Sequence, residues 1–145
     1  MHWQRTFLHP MLANFDAPSR EDCIAARNQA NTPQQALTLL NDPEFVEAAR
    51  GFASRLVSAA GDDASRLDRA YQLALGRSIK PAERESLLRF LKSMREEYGK
   101  RPDDAKKLLQ VGRLPGQTDG DAVETASWIS VCRVILNLHE TITRY

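Results

Sequence analysis

The sequence has few cysteines and histidines, the residues that build disulfide frameworks and most zinc sites. Cys23 and Cys132 are its only cysteines, too few for a disulfide framework or a four-cysteine zinc site. The three histidines, His2, His9 and His139, are scattered and show no spacing typical of metal ligands. We therefore predict no metal site, no cofactor and no catalytic residue.

Motifs of the common reaction centres are also missing. The chain has no Gly-x-Ser-x-Gly elbow, no glycine-rich phosphate loop and no Cys-x-x-Cys-His haem attachment site. For Cys23 and Cys132 two alternatives stay open. They are either two unpaired buried thiols or one bridge that ties the N-terminal arm to the last helix.

Charge of one sign and long apolar runs are lacking as well. Twenty basic residues face nineteen acidic ones, which leaves a formal charge of +1 and favours neither nucleic acid nor an anionic membrane as a partner. No run of 18 apolar residues exists, and no apolar segment of signal-peptide length follows Met1. As written, the chain is therefore predicted to be cytoplasmic, without a membrane span.

What the sequence does contain is a dense set of helix-start signals. Thr32-Pro33 followed by Gln35 is typical of a capping box with proline in the first helical turn. Asp42-Pro43 repeats the device, so the segment Ala36–Asn41 should form a helix of about two turns that breaks and restarts. We expect this corner to be buried.

Five longer stretches have caps and a one-sided apolar periodicity, and none shows a sustained two-residue alternation. They are Pro43–Ala60, then a stretch that Asp62 or Asp63 caps and Gly76 ends, then Pro81–Tyr98, the stretch from Pro102 to before Gly112, and Val123–Leu138. We predict an all-α fold, a single compact array of about five helices with an irregular N-terminal arm. The single domain 1–145 would comprise an arm and turn (1–30), a helical core (31–139) and a tail (140–145).

The last of these stretches is apolar around most of its circumference, which predicts the central helix with Trp128 in the core. Asp121 and Glu124 should form its capping box, and His139 should close its C-terminal end. Before it, the segment Arg113–Gly120 is predicted to be the longest and most mobile loop. Two smaller predictions concern an Asp103–Lys107 ion pair and Gly51, whose place inside a helix indicates either tolerance or the close approach of a neighbouring helix.

Several ordered motifs carry a family resemblance. They are Phe15-Asp16-Ala17-Pro18, Glu21, Cys23, Arg27, Asn31 to Leu37, Leu40-Asn41-Asp42, Leu136-Asn137 and Glu140 to Arg144. With them, nearly the whole chain resembles the C-terminal part of a family of large planctomycete-type proteins of unknown function, often joined to a cytochrome c domain. The resemblance implies that this chain is a fragment of a longer protein, or derives from one, and that the full-length family is exported or periplasmic.

The polar arm holds the candidate site. Asp16, Glu21 and Arg27 are interpreted either as a catalytic acid and base with an anion clamp or as ion pairs that pin the arm to the core. Arg20 is a candidate for binding an acidic partner, and Asn31 is either a ligand-binding amide or a turn residue. The predicted binding residues are thus Asp16, Arg20, Arg27 and Asn31.

Two classes of function follow. We expect a non-catalytic helical interaction or scaffold module that packs against another protein region, which the resemblance identifies as the preceding part of a longer family chain. The alternatives are a fragment of a hydrolase-type enzyme, with Asp16 and Arg27 lining half of a carbohydrate or ester site, or a scaffold in a cytochrome-c-linked electron-transfer assembly. The oligomeric state is left open.

Overall fold

The computed structural model of the chain describes residues 10–17, 32–114 and 120–142. These residues form helices α1 Pro10–Asn14, α2 Pro33–Asn41, α3 Pro43–Val57, α4 Asp63–Leu75, α5 Pro81–Lys100, α6 Pro102–Leu109, α7 Ala122–Leu136 and α8 His139–Ile142. The described part of the chain contains no strand, so the all-α prediction is confirmed. The count of about five helices is wrong, because three short helices (α1, α2 and α8) accompany the five long stretches.

The start of α2 confirms the predicted capping box. The Thr32 hydroxyl accepts a hydrogen bond from the Gln35 backbone N–H at 3.3 Å, and the Gln35 side chain accepts one from the Thr32 N–H at 3.2 Å. Asp42 ends α2 and caps α3, since its carboxylate accepts from the Glu44 N–H at 2.9 Å. The prediction that this corner is buried is wrong, because Asn41 and Pro43 are exposed.

The core forms around α7, as its continuous apolar pattern predicted. This helix packs against α3, α5 and α6, and also contacts α2, α4 and α8. Trp128, Ile129, Val131, Cys132 and Ile135 are fully buried along it. Burial on this scale is what fixes the other helices around one centre.

Several predicted helix ends differ from the structure. Helix α3 stops at Val57 instead of Ala60, and α5 continues through Gly99 to Lys100. Helix α7 ends at Leu136 with Asn137 as its C-cap, so His139 begins α8 and does not close the long helix. Ends are poorly specified because local caps and tertiary contacts compete over the last turn.

Two predicted polar pairs are also corrected. Lys107 pairs with Asp104 at 3.3 Å instead of with Asp103, whose neighbour is Lys106 at 3.9 Å. Asp121 caps α7 through the Val123 N–H at 2.9 Å, but Glu124 does not complete a capping box. Of the loop Arg113–Gly120, which was predicted to be mobile, residues 115–119 lie outside the described residues, so its mobility stays a prediction.

No helix in the described part of the chain is both long and apolar enough to cross a membrane. Cys132 is a buried free thiol, whereas Cys23 lies outside the described residues. Cys132 is therefore an unpaired buried thiol, as the first of the two alternatives predicted, and the surroundings of Cys23 stay a prediction.

Candidate functional site

Asp16 is the one predicted binding residue that the structure places. It follows α1 in the left-handed conformation, with φ of 54°, and its Oδ2 accepts a hydrogen bond from Gln35 Nε2 at 3.3 Å. Gln35 is only 3% exposed and already takes part in the cap of α2. Asp16 thus lies against the first turn of α2 through a hydrogen bond to a neutral amide, and the predicted ion pairs of the arm stay a prediction.

Neighbouring contacts hold the same segment. Asn14 Nδ2 donates to Thr38 Oγ1 at 3.1 Å, and the rings of Phe15 and Phe45 lie 5.9 Å apart between centroids. Arg20, Arg27 and Asn31 lie outside the described residues, and so does Glu21. Whether they meet Asp16 therefore stays a prediction.

A cluster of charged side chains that the sequence did not predict joins α4, α5 and α7. Arg95 donates to both carboxylate oxygens of Asp63, at 2.6 and 2.9 Å, and to both of Glu124, at 2.7 and 2.6 Å. Arg66 lies 3.9 Å from each carboxylate, and Trp128 Nε1 donates to Glu124 at 3.0 Å. The Glu124 carboxylate accepts these hydrogen bonds, which explains why it does not complete the capping box of α7.

Two carboxylates beside arginines resemble an acid–base pair, yet their electrostatics favour a different role. Hydrogen bonds from Arg95 lower the pKa of Asp63, although desolvation opposes the shift. The same bonds raise the pKa of Arg95. A general acid would need a raised carboxyl pKa. This cluster is an ion-pair network that links three helices.

A second arginine joins the α4–α5 connection to α8. Arg77 donates to Glu83 at 2.9 and 2.8 Å and to Glu140 at 2.7 and 3.2 Å, and its guanidinium lies 5.1 Å from the ring centroid of Tyr71. These hydrogen bonds lower the pKa of Glu83 to about 2 and also lower that of Glu140. Both carboxylates are therefore held in the charged form.

Neither nucleophile nor metal chemistry is favoured by the remaining groups. Burial raises the pKa of the Cys132 thiol, so it stays protonated and unreactive. No group of three metal-ligating side chains is found among residues 10–17, 32–114 and 120–142.

A concave surface lies on the outward side of α3. A cleft of about 770 Å³ extends along Ala48, Gly51 and Ser54, with Arg113 and Leu114 at its edge. A second hollow of about 510 Å³ continues from Ser54 and Arg55 to Arg69 and Leu73 on α4. We call the two together the α3 groove, since Ser54 and Arg55 line both.

Buried Arg50 builds the edge of the groove at Leu114. It is 7% exposed, and its guanidinium donates to the backbone carbonyls of Leu109 at 2.5 Å, Val111 at 3.0 Å and Leu114 at 2.8 Å. Gly112 follows with φ of +109°, and a side chain there would collide with Glu47. The segment after α6 is thus fixed against α3.

Sequence reasoning missed this groove. Ala48 belonged to the predicted inward stripe of its helix, yet it is exposed. The one signal was Gly51: no atom lies within 4 Å of the position that a Cβ would take there. The choice between tolerance and close approach of a neighbour is settled for the described residues, because none of them covers it.

Comparison with known families matches residues 1–91 to the family described as PSD1, a protein of unknown function (DUF1553). No curated protein and no solved structure matches the chain. The match includes the groove-bearing helices α3 and α4 and ends inside α5. It does not extend to the C-terminal motifs of the resemblance, nor to the central helix α7.

Proposed function

We propose that this chain, which belongs to the PSD1 family of unknown function, is a non-catalytic helical module that binds another protein region. The observation that carries the proposal is the α3 groove, with exposed leucines at both ends. Exposed apolar residues beside a concave surface are typical of protein interaction sites. The partner we propose is another region of a longer, planctomycete-type family protein, as the resemblance implies.

The state of the acidic residues supports this choice over a hydrolase fragment. Asp63, Glu83, Glu124 and Glu140 all bind arginines, and Asp16 binds the cap of α2. A glycosidase-type reaction would need two carboxyl groups facing one cleft, one of them with a raised pKa. No described observation favours a scaffold for cytochrome c over any other protein partner.

The test is capture of the preceding region of a longer family protein, expressed separately and added to this chain. Capture of a folded segment with a defined stoichiometry supports the proposal. No capture by the full chain, together with a thermal shift caused by sugars or esters, would replace it with the hydrolase alternative.

Variants then locate the contact. If Arg20 and Arg27 reach the partner, Arg20→Ala and Arg27→Ala weaken capture and leave the melting temperature nearly unchanged, because exposed ion pairs contribute about 0 to 1 kcal/mol. The control is Thr32→Ala, which removes a cap bond and costs about 0.5 to 2 kcal/mol of stability. Its folded fraction should bind normally. Unfolding by Arg27→Ala with normal binding would make that residue an internal strut.

A further inference from the structure

The floor of the α3 groove is built for close contact between two helices. Ala48, Gly51 and Ser54 of α3 and Ser58 at its C-cap are small residues that line the two hollows together with Arg55, over ten residue steps or about 15 Å at 1.5 Å per residue. Small residues let the axes of packed helices approach to about 8 Å. The groove therefore has the length and depth of about three turns of a second helix.

Apolar anchors stand at both ends of this floor. Leu73 is 58% exposed on α4, and Leu114 is 66% exposed at the edge that Arg50 fixes. They are two of the four large apolar side chains that the described residues leave exposed. An occupant with an apolar stripe would cover both.

The charge around the groove defines the flanks of the occupant. Four arginines line the two hollows, Arg50, Arg55, Arg69 and Arg113, against two glutamates, Glu44 and Glu47. Both glutamates are engaged by Arg113, Glu44 by its guanidinium at 3.1 Å and Glu47 by its backbone N–H at 2.6 Å.

At the α4 end, by contrast, the positive charge is not neutralised. Neither Arg55 nor Arg69 has an ion pair among the described residues, and the Arg55 guanidinium lies 6.0 Å from the ring centroid of Phe52. The positive potential at this end therefore complements a partner that carries carboxylates.

We propose that the α3 groove binds an acidic amphipathic helix of a protein partner. Its small and leucine side chains would face Gly51, and its carboxylates would lie opposite Arg55 and Arg69. This proposal rests on the proposed function and names the partner's chemistry. A helix suits the site better than a strand, because helix α3 offers side-chain ridges and no free backbone edge.

Designed peptides test the chemistry directly. The probe is a 15-residue helical peptide, about four turns, with a leucine and alanine stripe flanked by glutamates. One comparison peptide carries lysine for each glutamate, and another has the same composition in scrambled order. We expect the acidic peptide to bind this chain at least about tenfold more tightly than either, a difference of about 1.4 kcal/mol.

Matched variants test whether the peptide binds in the α3 groove. Gly51→Met places a long side chain in the floor, at a position where no described residue outside the helix's own backbone lies within 4 Å of the added Cβ, and it should abolish peptide binding. Gly99→Met, at the other helical glycine with such open space, should leave binding unchanged. Arg55→Glu and Arg69→Glu should each weaken binding about tenfold. Arg89→Glu on the exposed surface of α5 is the charge control.

Other outcomes overturn the groove proposal and separate it from the proposed function. Equal binding of the acidic and scrambled peptides would mean that charge alone, without the apolar stripe, determines binding. Equal effects of Gly51→Met and Gly99→Met would place the contact outside the groove. Self-association of the chain that Gly51→Met abolishes would make the occupant a second copy. If the groove variants still capture the family region normally, the groove proposal fails while the proposed function stands. If the unmodified chain does not capture the family region, both the groove proposal and the proposed function fail.

Discussion

The inward and outward sides of α3 use similar small residues but lie in opposite environments. Ala49 and Ala53 are fully buried where α3 packs against the core, whereas Ala48 and Gly51 are exposed on the other side. Small residues allow close packing on both sides, yet only the inward side is covered within the described chain. The composition of a helix face thus indicates how closely a neighbour can approach, and not whether one is present.

The two arginines of α3 show the same contrast. Arg50 is buried and satisfies three backbone carbonyl groups after α6, so its charge serves the fold. Arg55 is exposed and lies over the ring of Phe52. One helix therefore divides its positive charge between holding the groove edge and facing solvent.

The largest expected effect lies on the inward side of this comparison. Trp128→Ala should reduce the free energy of unfolding by about 3 to 5 kcal/mol, because a fully buried indole leaves a cavity in the central helix. Its Nε1 bond to Glu124 would be lost as well. Urea or guanidinium denaturation measures the change. A loss below about 1 kcal/mol would show that α7 faces solvent.

Local rules explain why this much of the fold could be predicted from the sequence. The caps at Thr32 and Asp42 depend on neighbours within a few residues, and the structure confirms both. The burial of α7 followed from its apolar circumference. These features carry their cause in the adjacent sequence.

Distant pairings could not be predicted because their cause lies elsewhere in the chain. Arg95 meets Asp63 across 32 positions, and Arg50 meets Leu109 across 59. Nothing in the spacing of either pair marks it before the helices are placed. The α3 groove depends on such placement as well, since it forms only where α3, α4 and the segment after α6 meet. Of the predicted binding residues, Asp16 lies within the described part of the chain.

An intermediate effect separates the two arginines of α3. Arg50→Met keeps most of the aliphatic contact but leaves three backbone carbonyls without this donor, so stability should fall by about 1 to 3 kcal/mol. Arg55→Met, on the exposed surface, should change it by no more than about 0.5 kcal/mol. Denaturant midpoints of both variants give the comparison.

If Arg50→Met and Arg55→Met lower the stability equally, the inward and outward sides of α3 do not differ in the way described. Increased proteolysis of Arg50→Met after α6 would sharpen it, because the loss should be local to the segment that Arg50 holds.

The smallest effect has the opposite sign and concerns the floor of the groove. Gly51→Ala should raise the free energy of unfolding by about 0.5 to 1 kcal/mol, because alanine restricts the unfolded chain and favours the helix. Among the described residues, the added Cβ meets no atom within 4 Å beyond its own helix backbone, so no packing cost from them opposes the gain. Gly99→Ala has the same free space in α5 but lies next to the last helical residue, so its gain should be smaller. Thermal and denaturant unfolding of both variants measure the difference. Destabilisation by Gly51→Ala alone would mean that this chain covers its own groove, and the outward side of α3 would then resemble the inward one.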